Sequence, residues 1–159
     1  MLMNINELIG TWIGSFKSYD DKHWLDGYEN KYDIIGKATN KKNSEFKMEI
    51  LAQESGVFFG TIFDVVENLA SSIKGSIKDD EIEFIKTYDS IPIIPKGHIY
   101  SKLVDHKMEI IYDGFLDGNN SIIGTWKREK KTVQYMGESY IIPEDSGSWN
   151  VKKENLKSA

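Results

Sequence analysis

The sequence predicts an all-β protein that folds as a single antiparallel, up-and-down barrel of eight to ten strands. Apolar and polar residues alternate with a period of two along most of the chain, whereas the 3.6-residue period of an amphipathic helix is nearly absent after residue 10. The predicted strands also follow one another too closely for helices to lie between them, which favours an antiparallel meander over a parallel sheet.

Ten runs of residues have strand character. In the third of them, Phe46, Met48, Ile50 and Ala52 share one face and charged residues occupy the other, which is typical of a half-buried strand. Residues 28–38 show the weakest pattern, residues 132–145 are ambiguous, and short helical turns are predicted at 4–8 and at 65–69. The predicted strands span residues 11–19, 28–38, 45–52, 57–64, 70–77, 81–88, 98–103, 107–116, 121–129 and 147–152.

A short motif of glycine, a hydroxyl residue and an apolar residue recurs in these strands. The glycine and the apolar residue share one face, so a small side chain lies beside a large one on the predicted inner surface. This arrangement suits the tight coiling of a small closed barrel, and closure removes the exposed edges of many short strands. The motif occurs as Gly10-Thr11-Trp12, Gly60-Thr61-Ile62, Gly75-Ser76-Ile77, Gly124-Thr125-Trp126 and Gly147-Ser148-Trp149.

Length and composition restrict the class of protein. With 159 residues, 40% of them hydrophobic and 28% charged, residues 1–159 are expected to form one globular domain. The absence of cysteine excludes disulfides and thiolate metal sites, and the net charge of -5 offers no basic surface for nucleic acid or anionic lipid. We therefore expect neither a nucleic-acid nor a membrane partner. The first residues lack signal-peptide features, which predicts a cytoplasmic protein.

Residues 4–12, Asn-Ile-Asn-Glu-Leu-Ile-Gly-Thr-Trp, resemble the opening of the calycin superfamily of lipocalins, fatty-acid-binding proteins and avidins. In that superfamily a short helical turn leads into a Gly-x-Trp first strand. Arg128, the sole arginine, resembles the lipocalin arginine that packs over this tryptophan and closes the barrel base. The resemblance implies a lipocalin-like barrel with a generic pocket. The chain lacks the lipocalin Thr-Asp-Tyr motif, and its first strand lacks the asparagine with which avidins contact biotin, so biotin binding is not carried over.

Charged residues on apolar strand faces are the best candidates for a binding site, because a charge turned into a barrel needs a partner, water or a ligand. Lys86 shares a face with Ile82, Phe84 and Tyr88 and is predicted to point inward. A buried lysine there could hold a carboxylate or another anionic group. Asp64 could be its internal partner or a turn residue at the end of a strand. The predicted apolar lining of the pocket consists of Phe58, Ile62, Phe84, Met108 and Tyr112.

Other polar residues complete the predicted ligand site. Tyr88, Tyr100 and Tyr112 place phenols on inner faces, where each could bind a ligand carbonyl or satisfy the core. Arg128 could bind an anion, or could stack on a tryptophan as a base plug. His98 alternates with Tyr100 and could be an inward general base. The histidines show no metal-ligand spacing and the chain has no phosphate-binding loop, so no cofactor is expected.

Three functions from different classes remain open at this point. The leading hypothesis is a binding protein for a small apolar or amphipathic molecule, with a carboxylate among the possible polar ends. The second is an interaction or regulatory module with a solid barrel, whose exposed loops contact a protein partner through Trp24, Tyr135 and Tyr140. The third is a cofactor-free isomerase, cyclase or decarboxylase that uses His98 or Asp64 as a base. The oligomeric state is not predicted.

Overall fold

The computed structural model describes residues 8–18, 44–64, 69–93, 95, 97, 102–118 and 120–154. These residues form strands and turns, and they contain no helix with the length and apolar character needed to cross a bilayer. The strands are β1 (Gly10–Ser18), β2 (Ser44–Glu54), β3 (Val57–Asp64), β4 (Leu69–Lys78), β5 (Glu81–Tyr88), β6 (Ile91–Ile93), β7 (Lys102–Val104), β8 (Met108–Leu116), β9 (Ser121–Arg128), β10 (Lys131–Tyr135), β11 (Glu138–Ile142) and β12 (Asp145–Lys153).

Eight of these strands close into an antiparallel barrel in the order β1-β12-β9-β8-β5-β4-β3-β2. Each barrel strand pairs with the next barrel strand along the chain, and β12 returns to pair with β1, as Phe16 opposite Trp149 shows. The predicted all-β antiparallel barrel is therefore confirmed, with eight strands in its wall. The predicted helical turn at 4–8, apart from Leu8, lies outside the described residues, as do the predicted strand 28–38 and most of the turn at 65–69.

The period-two pattern sorts the side chains between core and solvent. In β5, Ile82, Phe84, Lys86 and Tyr88 are buried and the residues between them are mostly exposed. The prediction for β2 is wrong at its end: Ala52 is exposed although Ile50 is buried. The register between β2 and β3 shifts between these two residues, and one extra residue in a strand moves every later side chain to the opposite face.

The recurring glycines permit close contact between neighbouring strands. At four of the five motifs a Cβ atom on the glycine would lie 1.8–2.2 Å from a carbonyl oxygen of the adjacent strand. At Gly124, for example, it would lie 1.9 Å from the Asp113 oxygen. Only a residue without a side chain fits such a position, so these glycines set how tightly the barrel coils.

The two ends of the barrel differ. The base, next to Trp12, carries the tight connections 55–56, 79–80 and 117–120. The polar end, where β1, β3, β5 and β9 finish at Ser18, Asp64, Tyr88 and Arg128, carries the connections 19–43, 65–68, 89–107 and 129–144. The charged candidate residues therefore lie toward one end of the molecule, away from the base.

Two small sheets extend the core at the polar end. One pairs β6 with β7 and the other pairs β10 with β11, within the connections from β5 to β8 and from β9 to β12. The predicted strand 98–103 is thus wrong as a barrel strand: its described part contributes to β7, and residues 98–101 lie outside the described residues. The side chains that these sheets bury in the common core are Ile91, Ile93, Val104, Val133, Tyr140 and Ile142.

Candidate functional site

The barrel contains a buried ion pair between Asp64 of β3 and Lys86 of β5. The Lys86 Nζ atom lies 3.0 Å from each carboxylate oxygen of Asp64. Lys86 is 1% exposed and Asp64 is 2% exposed, so both charges are removed from water. The sequence left Asp64 as either the internal partner of Lys86 or a turn residue, and in the structure it is the internal partner.

The strand pattern explains why these two side chains meet. Asp64 continues the inner face of Phe58 and Ile62, and Lys86 continues the inner face of Ile82 and Phe84. The intervening strand β4 presents a small inner side chain, Ser71, which donates a hydrogen bond to the Ile62 carbonyl oxygen at 3.3 Å. A small residue on β4 leaves space for the ion pair to form over it.

Tyr88 completes the cluster on the carboxylate side. Its hydroxyl donates to Asp64 Oδ2 at 2.5 Å, while Lys86 donates to both oxygens of the same carboxylate. Charge-assisted hydrogen bonds are short and stronger than neutral ones, and a buried carboxylate needs several of them. Asp64 is therefore held by two different side chains of β5. We call Asp64, Lys86 and Tyr88 the polar cluster.

Aromatic rings surround the ammonium group. The Lys86 Nζ atom lies 4.8 Å from the ring centroid of Tyr88, 5.5 Å from that of Phe16 and 5.9 Å from that of Tyr112. A cation within about 6 Å of a ring face is attracted by the ring quadrupole, most strongly when water is absent. Phe16 was not assigned to the site from the sequence, because alternation alone does not tell which strands lie opposite each other.

An aromatic stack separates the polar cluster from the base. Phe84 and Tyr112 are stacked with centroids 4.7 Å apart, and Trp149 meets both rings edge-on at 5.4 and 5.5 Å. The Trp149 indole donates to the carbonyl oxygens of Asp113 and Thr125, both at 3.1 Å. The residues predicted to line an apolar interior are all buried: Phe58, Ile62, Phe84, Met108 and Tyr112.

Arg128 forms a second buried polar group, in a different place from the one expected. Its Nε and Nη2 atoms donate to the Pro143 carbonyl oxygen at 3.2 and 2.8 Å, and Nη2 lies 3.9 Å from Asp145 Oδ2. Asp145 in turn accepts from Ser18 Oγ at 2.7 Å and from the Ser146 amide at 2.8 Å. This group connects the end of β11 to β1, β9 and β12.

The prediction that Arg128 plugs the base is therefore wrong. Arg128 lies opposite Asp145 at the polar end, whereas Trp12 lies opposite Lys153 at the base. Lys153 is the cation near the tryptophan, with its Nζ atom 5.7 Å from the Trp12 ring centroid. The Trp12 indole donates to the Leu8 carbonyl oxygen at 2.9 Å, and both residues are fully buried. The lipocalin resemblance pointed to Arg128 because it is the sole arginine of the sequence. In the structure, the cation beside the Trp12 ring is Lys153 of β12.

Two predicted site residues, His98 and Tyr100, lie outside the described residues. The enzyme hypothesis that uses His98 as a base therefore stays a prediction. In the described ranges no group of three or more histidine or acidic side chains could hold a metal ion. Ser18 and Asp145 were missed because each lies at a strand end, where alternation gives no signal.

No family model matches the chain, and no curated protein and no solved structure matches it. The closed barrel of eight antiparallel strands agrees with the architecture that the calycin-like opening implies. The assignment of the fold therefore depends on strand order, register and the inner-face residues described above.

Proposed function

We propose that this chain is a calycin-like binding protein for a small amphipathic molecule. In this proposal the apolar body of the ligand lies among the inner aromatic and aliphatic side chains. Its polar end contacts the polar cluster of Asp64, Lys86 and Tyr88. The up-and-down order of the barrel strands and the Gly-x-Trp opening support the calycin-like part of the proposal.

The burial of the polar cluster is the observation that carries the proposal. Removing two ions from water costs several kcal/mol per ion, and replacing a buried ion pair by apolar residues of similar size is often neutral or stabilising. The barrel buries an extensive apolar core in addition to Asp64 and Lys86. A role in recognition explains why a charged pair occupies this inner position.

The position of the cluster within the barrel adds support. The base holds Trp12 and is bounded by short turns, and the aromatic stack lies between the base and the polar cluster. Asp64 and Tyr88 end their strands on the opposite side, where three of the four connections are longer than any at the base. Ligand entry at the polar end would bring the molecule to the cluster first.

Native mass spectrometry of the protein purified from its own host tests the proposal directly. The expected result is a mass above that of the chain alone, which disappears after denaturation and corresponds to a small molecule. The matched comparison is the triple variant Asp64→Leu, Lys86→Met and Tyr88→Phe, which replaces each polar side chain of the cluster by an apolar one of similar shape. The exposed β9 residue Lys127 supplies the control variant, Lys127→Met. Retention by wild type and Lys127→Met, with loss in the triple variant, is expected; equal retention in all three would contradict the assigned site.

A protein-interaction module is the second candidate, favoured by apolar side chains on the outer wall. Leu51 of β2 is 62% exposed, and Phe59 and Phe63 of β3 are 45% and 39% exposed. The loop aromatics named for this hypothesis do not support it equally, because Tyr140 is buried, Tyr135 is half-buried and Trp24 lies outside the described residues. The same mass spectrum separates the candidates, since a co-purifying polypeptide in place of a small molecule favours the module. A cytoplasmic location stays a prediction.

A further inference from the structure

We infer that the ligand site selects an uncharged hydrogen-bonding end, such as an alcohol or an amide, and rejects carboxylates and amines. This inference rests on the proposed function and specifies the class of ligand. It also revises the expectation from the sequence that Lys86 could bind a carboxylate or another anionic group of the ligand.

The inference begins from the charge balance of the interior. The Lys86 ammonium is bound at 3.0 Å by both oxygens of Asp64, so the pair carries no net charge. The only other buried charged side chains in the described part of the chain are Arg128 and Asp145, which are also of opposite sign. A ligand carboxylate would add an anion for which the described interior offers no additional buried cation.

A ligand carboxylate could also gain a cation by replacing Asp64 at Lys86, but this exchange is unfavourable as well. If a ligand carboxylate displaced Asp64 from Lys86, the Asp64 carboxylate would remain buried without its cation, which is strongly unfavourable. The rings of Phe16, Tyr88 and Tyr112 around the ammonium further favour its present position. Displacement of Asp64 by a ligand carboxylate would therefore break more favourable interactions than it forms.

An incoming amine meets the opposite problem in the same place. The Asp64 carboxylate that could neutralise it already binds Lys86 and accepts from Tyr88 at 2.5 Å. A second ammonium would lie close to the first, and like charges in a low-dielectric site repel strongly. A neutral hydroxyl or amide has both donor and acceptor atoms and can hydrogen-bond to the pair without adding charge.

Three probes of equal chain length test this inference on the wild-type protein: decanol, decanoic acid and decylamine. Displacement of a fluorescent apolar dye at pH 7 gives the three dissociation constants. Decanol is expected to bind at least about tenfold more tightly than either charged probe, which corresponds to about 1.4 kcal/mol. Tighter binding of decanoic acid or decylamine would overturn the inference while leaving the binding function intact. Binding of none of the three would overturn both.

Two single variants test whether the pair sets the preference. Asp64→Asn leaves the Lys86 ammonium without its carboxylate, and decanoic acid should then bind at least about tenfold more tightly than it binds wild type. Lys86→Met leaves the Asp64 carboxylate without its cation, and decylamine should then bind at least about tenfold more tightly than it binds wild type. Circular dichroism establishes that each variant is folded. If neither variant folds, the three dissociation constants of the wild-type protein decide. An unchanged order of affinities in a folded variant would contradict the role of the ion pair.

Discussion

Asp64 and Lys86 form their ion pair across an intervening strand, since β4 lies between β3 and β5 in the barrel wall. The two residues are 22 positions apart, and the pair therefore connects three consecutive strands on the inner surface. Because both side chains are at least 98% buried, removing either one leaves the other as a buried charge that has lost its oppositely charged partner. The stability of the barrel should depend strongly on whether the two partners are changed singly or together.

Asp64→Asn is expected to destabilise the protein by about 3–5 kcal/mol, because Lys86 then stays buried without the carboxylate that binds it at 3.0 Å. Lys86→Met should have a similar effect for the opposite reason, since it leaves the Asp64 carboxylate unpaired. Urea denaturation followed by circular dichroism measures both losses. A loss below about 1 kcal/mol for Asp64→Asn would indicate that the pair is hydrated or that another group replaces Asp64.

The triple variant Asp64→Leu, Lys86→Met and Tyr88→Phe is expected to be as stable as wild type or up to about 4 kcal/mol more stable. All polar side-chain atoms of the cluster are removed together, so neither Asp64 nor Lys86 remains as a buried charge without the other. Tyr88 must be included because its hydroxyl would otherwise lose the Asp64 acceptor. Urea denaturation of the triple variant beside the single variants provides the measurement. A triple variant less stable than Asp64→Asn would mean that the polar cluster itself stabilises the barrel.

The barrel and the inward direction of Lys86 could be predicted from the sequence because period-two alternation decides which face of a strand is buried. The same rule failed at Ala52, where a bulge adds one residue and reverses the faces. It also does not tell which end of the barrel a residue occupies, so it could not correct the position beside Trp12 that the lipocalin resemblance implied for Arg128. Strand pairing decides that question, and it depends on contacts between residues far apart in the sequence.

The sequence could also predict only some of the residues that form the candidate site. Lys86 and Tyr88 could be found together because they lie two positions apart on one strand. Phe16, which contacts the ammonium from β1, could not be assigned without knowing that the barrel closes and brings its ring within 5.5 Å. Asp64 was identified as a possible partner, but its alternative as a turn residue could be rejected only from the 3.0 Å separation.

Trp12→Ala is expected to destabilise the protein by about 3–5 kcal/mol, as for other large buried aromatic residues. The ring is fully buried, and its loss would remove contacts at the base together with the indole hydrogen bond to Leu8. Thermal and urea denaturation measure the effect. Trp12→Phe serves as the control, because it keeps a ring at this position but lacks the N–H donor, and it should lose less. A loss below about 1 kcal/mol for the alanine variant would contradict the role of Trp12 as a core anchor.

Gly124→Ala is expected to destabilise the barrel by about 1–3 kcal/mol, because the added methyl group forces the strands apart. Its Cβ atom would lie 1.9 Å from the Asp113 carbonyl oxygen and 2.6 Å from the Gly114 Cα atom, both of which belong to the backbone of β8. Lys127→Met is the control, since Lys127 is an exposed residue of the same strand, β9. Equal stability of the two variants in urea would show that close strand approach at Gly124 is not required.

Arg128→Lys is expected to loosen the β10–β11 hairpin while the rest of the barrel stays intact. The guanidinium donates from two nitrogen atoms to the Pro143 carbonyl oxygen, directly after β11, and a single lysine ammonium cannot reproduce this geometry. Loss of a hydrogen bond to a charged group weakens a contact by about 1.5–3 kcal/mol, so the β10 and β11 amides should exchange with solvent about tenfold faster or more. Hydrogen exchange followed by mass spectrometry measures this, with β3 as the internal reference and Lys127→Met as the control on the outer face of the same strand. If exchange in β10 and β11 stays at the wild-type rate, the apolar contacts of Val133 and Ile142 hold the hairpin without Arg128.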